Sequence, residues 1–372
     1  MNQTYMKKVG FLWLLIGCSL ISTQIWSQAP KYSNEFLNIG VGARALGMSN
    51  TMVAAANDIT AGYWNPAALT SIESRAQFSA MHAEWFAGIA QYDYVSFGKR
   101  MNPVNNAFGS ISIVRFGIDQ IPYTINLIGE DGSIDYDNIS EFSAADYAFI
   151  LSYAQNLGTK GWRIGGSAKI IHRSVGRFGT AWGFGLDAGL FYQSDKLRFG
   201  VMLKDISTTF NAWSFNLTEE EKVVFEKTDN IIPVNTLEQT LPRISVGIAY
   251  NIKLGAKNSL LLAADVDVTT DGERNTIASF STFSIDPHVG LEFSLNKTIF
   301  IRGGIGNLQY IKDIVDPTQE DLSIQPNAGI GLKLGRIQLD YALANVGEVA
   351  SDLLNSHIFS LTLNFTQRRT GE

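Results

Sequence analysis

The sequence predicts an all-β fold, a transmembrane antiparallel β-barrel of about 14 strands, and three observations support this. Only 17% of the 372 residues are charged, against roughly 25% in average proteins, while 34 glycines and 11% aromatic residues fit strands that face lipid. After residue 21 no apolar run approaches the roughly 20 residues of a membrane helix, so membrane insertion must use strands. From about Arg75 onward, segments of roughly 10 residues alternate apolar and polar side chains between turns, as in membrane barrels.

The alternation gives each segment one face suited to lipid and one suited to a wet lumen. In the segment from Trp162 to Arg173, the apolar face carries Trp162, Ile164, Ala168 and Ile170, and the polar face carries Arg163, Ser167, Lys169 and Arg173. Segments 182–192, 260–268 and 337–343 show the same pattern. Strand centres are predicted near Phe78, Val95, Ile111, Ile150, Ser167, Leu186, Phe199, Val246, Ala264, Leu291, Ile301, Ile330, Leu339 and Leu361. An even number is expected when both termini are periplasmic.

Short and long connections alternate along the predicted barrel. Tight turns are expected at 100–106, 157–161, 194–196 and 253–258, and longer polar loops at 119–142, 208–241, 269–286 and 307–326. Short periplasmic turns and long extracellular loops produce this alternation. Within one long loop, Thr218 precedes three glutamates, which predicts a helix from Thr218 to Asp229.

The two ends of the sequence carry export features. Lys7 and Lys8 precede an apolar run over 9–21, the pattern of a secretory signal peptide, with cleavage expected after Ser27. A lipoprotein site at Cys18 is the alternative. At the other end, 357–365 alternates apolar and polar residues and ends in Phe365, which resembles the terminal signal for outer-membrane barrel assembly.

Two motifs before the first strand are the most specific in the chain. One is Gly42-Ala43-Arg44-Ala45-Leu46-Gly47-Met48, within 36–48, and the other is Trp64-Asn65-Pro66-Ala67, within 58–69. They resemble the PorV/PorQ family of Bacteroidota outer-membrane proteins, relatives of the FadL-type barrels. The resemblance implies a FadL-like 14-stranded barrel in the outer membrane with an N-terminal segment folded into the lumen. The expected organisation is a signal peptide (1–27), a plug segment (28–74), a barrel (75–366) and a C-terminal tail (367–372).

The resemblance also implies a function in type IX secretion. Besides outer-membrane lipid, the expected partners are the type IX translocon or secreted proteins with C-terminal sorting domains. The alternative is a FadL-like channel for hydrophobic small molecules. A shuttle for secreted proteins should depend on the rim loops 119–142 and 208–241, whereas a transporter should depend on the plug and an apolar lumenal pocket. The sequence does not separate PorV from PorQ or from another paralogue.

The candidate site residues belong to the two motifs, and they are Gly40, Gly42, Arg44, Gly47, Trp64, Asn65 and Pro66. The small residues would permit close backbone approach inside a barrel. Arg44 is expected to pair with a lumenal acid such as Asp187, Asp265 or Asp267. Asn65-Pro66 forms turns readily and would fix how the chain enters the first strand. These residues either only pack the plug or also act in gating or ligand binding.

The sequence contains no recognisable motif for catalysis or cofactor binding. The spacing of Gly40, Gly42 and Gly47 does not match a dinucleotide loop. The four histidines are scattered, and no nucleophile motif of the Gly-x-Ser-x-Gly type occurs. The net charge of -6 argues against a nucleic-acid binder. We therefore expect a protein without enzymatic activity, cofactor or metal, with a barrel hydrolase as the enzymatic alternative.

Overall fold

The computed structural model describes residues 33–86, 88–125, 127, 133–158, 161–312, 320–344 and 356–365. The expected signal peptide, Cys18 and the tail lie outside these residues. The described strands are β1 Ala76–Trp85, β2 Ala90–Asn102, β3 Ala107–Tyr123, β4 Ser140–Asn156, β5 Trp162–Val175, β6 Gly179–Gln193, β7 Leu197–Lys204, β8 Thr209–Phe215, β9 Thr236–Thr240, β10 Arg243–Leu254, β11 Asn258–Thr269, β12 Ala278–Ser279, β13 Ser284–Leu295, β14 Ile299–Lys312, β15 Glu320–Leu334, β16 Ile337–Ala344 and β17 Ser356–Phe365. The α-helices are α1 Ala43–Leu46, α2 Ala61–Trp64 and α3 Glu219–Lys227, and 3-10 turns span Glu35–Asn38, Pro66–Ser71 and Tyr136–Asn138.

Fourteen of these strands form a closed antiparallel barrel, in the order β1 to β7, β10, β11 and β13 to β17. The barrel closes where β17 pairs with β1, from Ala76 opposite Phe365 to Glu84 opposite His357. Closure removes the free edges that a membrane sheet could not leave unpaired. Each of the fourteen predicted strand centres lies in a different one of these strands, so the predicted fold class and strand number are confirmed.

The remaining three strands extend the wall at the end with the long loops. The upper part of β6 pairs with β8, while its lower part pairs with β7. In the same way β8 pairs with β9 and β7 with β10. Between β7 and β8, Asp205 and Thr208 have left-handed backbone conformations. At this point the wall is therefore formed by two strands in succession, β7 and β8, which are joined by a turn at 205–208.

The long polar connections are shorter than the sequence predicts. The expected loop 208–241 contains β8, β9 and α3, and most of 307–326 belongs to β14 and β15. The polar residues Asn307, Gln309 and Gln325 fall in a stretch that the sequence predicts to be a loop, but they lie in strands and line the lumen. Polarity in a barrel strand marks the wet face as well as the loop, and this explains the error.

Side chains alternate between the membrane face and the lumen as predicted. Along β14, the Ile301 side chain is 52% exposed at the outer surface, whereas its neighbour Arg302 is buried inside. Leu339 and Asp340 on β16 show the same contrast. Both barrel termini lie at the end with the short turns, which is the periplasmic end in proteins of this architecture. No helix among the described residues is long and apolar enough to cross a membrane.

The hydrophobic core lies inside the barrel, around residues 33–72, which we call the plug. Val41, Met48, Met52, Ile59 and Leu69 of the plug are fully buried. The wall contributes large buried side chains to the same core, among them Tyr92, Tyr94, Phe108 and Phe191. A lumen filled in this way is a packed interior rather than an open water-filled pore.

Glycines on the inner face of the wall allow the plug backbone to approach closely. A Cβ atom added to any of six glycines on β5 to β14 would come within 3.0 Å of a plug atom; these are Gly165, Gly189, Gly200, Gly247, Gly290 and Gly304. They lie on β5, β6, β7, β10, β13 and β14, so the contact extends around a large part of the barrel. We expect close approach from the small residues of the plug, and the wall glycines provide it as well.

The glycine contact predicts that Gly304→Ala will loosen the plug. The new methyl group would overlap the backbone of Met48 and Ser49, and overpacking of this kind costs about 1–3 kcal/mol. We expect faster proteolysis of the plug and a higher ion conductance of the protein in a planar bilayer. Gly303→Ala is the control, because the nearest atom to its Cβ would be 3.9 Å away. Equal effects of the two substitutions would contradict this account.

Candidate functional site

The first plug motif is shaped by its glycines. Gly40 and Gly42 have φ values of 99° and 94°, which L-residues with side chains adopt only with strain. Gly42 also precedes α1, where the Ala43 N–H donates to Ser360 Oγ at 2.7 Å. Gly47 ends α1 against Gly329 of β15, 3.1 Å from where a Gly47 Cβ would stand. Gly40 and Gly42 are thus required for their backbone conformations, and Gly47 allows the plug backbone to approach the backbone of β15.

Arg44 attaches the plug to the wall through a buried ion network. Its guanidinium donates twice to Glu292 of β13, from Nε at 2.7 Å and from Nη2 at 2.9 Å. Arg302 of β14 donates to the same carboxylate at 2.7 Å and to Asp340 of β16 at 2.6 Å. We call these four residues the anchor. Two cations and two anions balance within it, and buried charges need such pairing.

The expected partners of Arg44 are wrong, since α1 faces β13 to β17 rather than the strands that carry the three aspartates. Asp187 instead accepts from Lys169 at 2.9 Å, and Asp265 accepts from the Val53 N–H at 2.8 Å. Glu292 was missed, although the pattern could have revealed it. It stands between Leu291 and Phe293, and is therefore a charged residue on the inward face of a barrel strand.

The second motif ties the plug together. Trp64 ends α2, and its indole N–H donates to the Val41 carbonyl at 3.0 Å. Asn65 Nδ2 donates to the carbonyls of Val53 at 3.1 Å and Leu190 of β6 at 3.2 Å. Asn65 Oδ1 caps the 3-10 turn that begins at Pro66. The motif therefore joins three plug segments to one another and to the wall.

Above the plug, the lumen holds a cavity of about 580 Å³ near the end with the long loops. Its floor is formed by plug residues Ile39, Leu46, Ser49, Asn50, Val53 and Trp64. Its walls carry the charged residues Glu35, Lys204, Arg243, Asp265, Asp267, Arg274, Asp286 and His288. An apolar pocket was the expectation for a transporter of hydrophobic molecules, and this lumenal cavity is instead mixed, with a charged wall.

Most charges in the lumenal cavity are paired with one another. Arg274 lies 2.9 Å from Glu35, and His288 lies 3.4 Å from Asp286. Lys204 differs, since among the described residues no carboxylate oxygen lies within 4.0 Å of its Nζ. Its ammonium instead stands over the rings of Tyr63 and Trp64, at 5.0 and 5.6 Å from their centroids. No group of three or more His, Cys, Asp or Glu in the described part of the chain could hold a metal ion.

Among the described residues at the loop end of the barrel, helix α3 is tied to Tyr123 of β3 and to Arg177. Helix α3 begins as predicted at Thr218, whose side chain and Glu221 form a capping box. The Glu221 carboxylate is 2% exposed and accepts from Tyr123 Oη at 2.7 Å and Arg177 Nη2 at 2.6 Å. Burial alone would raise the pKa of Glu221, but the hydrogen bonds from Thr218 and Tyr123 and the charge of Arg177 outweigh it and lower the pKa.

No protein family matches the chain in sequence, and no curated protein resembles it at a significant level. Solved structures do resemble it. The P. putida toluene transporter TodX has a TM-score of 0.56 at 12% identity, covering 88% of this chain and 99% of that one. The Ralstonia pickettii toluene transporter TbuX has a TM-score of 0.50 at 13% identity, covering 88% and 98%. A Pseudomonas aeruginosa FadL homologue has a TM-score of 0.50 at 12% identity, covering 87% and 98%. The fold is thus that of the FadL-like barrels.

The anchor predicts that Glu292→Gln will destabilise the seated plug. The change removes the carboxylate that two buried guanidinium groups share, and breaking a buried ion network in this way costs about 3–5 kcal/mol. We expect the plug to become sensitive to protease and the unfolding midpoint in urea to fall. Glu84→Gln, at a half-exposed carboxylate on β1, is the matched control and should change neither. An intact plug in the Glu292 variant would refute the anchor.

The lowered pKa of Glu221 predicts that acid loosens α3. A carboxyl whose pKa is depressed by folding stabilises the fold above its unfolded value of about 4.3, and this contribution is lost as the pH falls through the folded pKa. Hydrogen exchange of the α3 amides, corrected for intrinsic rates, should therefore accelerate between about pH 7 and pH 3. In Glu221→Gln it should already be fast at neutral pH, whereas Glu220→Gln should behave as wild type. A pH-independent protection in the wild type would refute the prediction.

Proposed function

We propose that this protein is a plugged outer-membrane channel for small molecules, in which the lumenal cavity takes up the solute and the plug is the gate. The observation that carries the proposal is the position of the cavity. It lies at the loop end of the barrel, and its floor consists of plug residues such as Leu46, Val53 and Trp64. A solute that enters from outside would rest directly on the element that blocks its path.

The nature of the plug contacts supports a gating role. One side of the plug is attached through the charged anchor, and the backbone elsewhere lies against wall glycines that place no side chain in its way. Hydrogen bonds and ion pairs to the wall can be exchanged for bonds to water or solute when the plug shifts, whereas the apolar contacts with wall residues such as Tyr92 and Phe108 cannot. Two proteins that share the fold are described as toluene transporters, which fits a channel.

The proposal is tested by locking the plug to the wall. Asn327 Nδ2 of β15 donates to Ser49 Oγ at 2.8 Å, so cysteines at these two positions can be cross-linked reversibly by oxidation or by a short bifunctional reagent. Proteoliposomes containing the full-length double variant would be assayed for uptake of radiolabelled glycine, arabinose and toluene.

We expect at least one solute to enter faster than into empty liposomes, uptake to fall on cross-linking, and uptake to recover after reduction. The single variant Ser49→Cys is the control and should be insensitive to oxidation. Uptake that equals that of empty liposomes for every solute would refute the channel. Uptake that ignores the cross-link would refute the plug as its gate.

A second candidate is a role in type IX secretion, favoured by the two motifs that resemble the PorV/PorQ family. The residues of these motifs lie in the plug, and helix α3 at the loop end of the barrel offers a surface for an exported protein or the translocon. On this proposal the host is a bacterium of the Bacteroidota type, and the loops rather than the lumenal cavity carry the function.

Deletion of the gene in its host separates the two candidates. In quantitative proteomics of secreted, surface and periplasmic fractions, retention of proteins with type IX sorting domains in the periplasm would support a translocon role. Release of these proteins with their sorting domains still attached would support a shuttle. An unchanged distribution in a strain that also lacks the paralogues would remove secretion as the function.

A further inference from the structure

The wall of the lumenal cavity contains two pairs of like charges, and the two members of each pair lie opposite each other on neighbouring strands. In the register of the sheet, Lys204 of β7 lies directly opposite Arg243 of β10. Asp267 of β11 lies directly opposite Asp286 of β13. All four residues line the cavity. Like charges in directly opposed positions destabilise a sheet, so a cationic pair and an anionic pair side by side call for an explanation beyond stability.

The protein compensates these charges only in part. His288 lies 3.4 Å from Asp286 and 4.0 Å from Asp267, and Arg243 lies 3.8 Å from Asp267. Among the described residues, no carboxylate oxygen lies within 4.0 Å of Lys204 Nζ. Asp286 Oδ1 is buried and has no hydrogen-bond partner among the same residues. Each pair thus retains one group that a ligand could satisfy, an ammonium at one side and a carboxylate oxygen at the other.

The spacing of the two pairs sets the size of that ligand. The cationic pair straddles β7 and β10, and the anionic pair straddles β11 and β13, so their midpoints lie two strand spacings apart across the sheet. They are also staggered by two residues along it, because Arg243 is opposite Thr269, which makes the distance between the midpoints about 12 Å at the backbone. An extended peptide spans at most about 3.3–3.6 Å per residue, so about three residues bridge this distance. A cavity of about 580 Å³ has room for such a ligand, and Ile39, Leu46 and Val53 on its floor offer apolar contact to side chains.

We propose that the lumenal cavity binds short zwitterionic peptides, with the C-terminal carboxylate at Lys204 and Arg243 and the N-terminal ammonium at Asp267 and Asp286. This inference rests on the proposed channel function and names its class of solute. A hydrocarbon is a poor occupant, because it would strip water from the charged groups without replacing their hydrogen bonds.

The test is equilibrium binding of triglycine to the full-length protein in detergent micelles, measured by isothermal titration calorimetry. Triglycine should bind more tightly than glycine, and N-acetyl-triglycine amide, which lacks both terminal charges, should not bind. Lys204→Met and Asp286→Asn should each weaken triglycine binding by about tenfold or more. Lys204→Arg keeps the charge and should retain binding, which guards against a fold defect in the Met variant. Lys222→Met, on exposed α3, is the matched control.

Three outcomes overturn the inference. The first is that triglycine does not bind, and the second is that N-acetyl-triglycine amide binds as tightly as triglycine. The third is that toluene binds saturably and with an affinity that the substitutions of Lys204 and Asp286 do not change. The channel itself is judged separately by the uptake of glycine, arabinose and toluene with and without the cross-linked plug. Rapid gated uptake of toluene alone would thus reject the peptide ligand and retain the channel.

Discussion

The carboxylate of Glu292 is the contact on which the arrangement of the lumen depends. It accepts from Arg44 of the plug and from Arg302 of the wall, and Arg302 in turn reaches Asp340 two strands further along. The network around Glu292 therefore joins the plug to three strands of the barrel. Because none of these charges could remain buried alone, the presence of each requires the others, and the position of the plug is fixed by electrostatics as well as by shape.

The remainder of the lumen follows from that attachment. With α1 held against β13 to β17, the plug backbone crosses the barrel along a path where the opposite wall carries glycine, and Asn65 secures the far side at β6. The periplasmic half is thereby filled, and the space that remains lies at the loop end. The charged wall residues there border the cavity, and most are paired with one another or with polar groups of the plug such as Glu35, which is why they can be charged and why the lumenal cavity is polar.

The sequence was sufficient for the barrel and much less so for its contents. Alternation placed Ile301 and Leu339 on the outer face because lipid imposes the same chemistry on every strand. No comparable rule exists inside the lumen, where Arg44 could have met any inward acid, and only the path of the plug selects Glu292 over Asp187. The same limit applies to Asn307 and Gln325, whose polarity suits a loop and a wet strand equally. The capping box at Thr218 was predictable because it is a local interaction within four residues.

Closure of the barrel between β1 and β17 has a consequence for the order of folding. These strands hold the two ends of the barrel sequence, from Ala76 opposite Phe365 onward, so the last seam joins residues that are nearly three hundred positions apart. The plug precedes all of the strands in the chain and contacts β6, β13 and β17 from within. If the plug is enclosed before the seam forms, its backbone does not have to be threaded through an end of the finished barrel. The strands would then assemble around the plug. Pairing of β1 with β17, which joins distant parts of the chain, would be the slow step of folding.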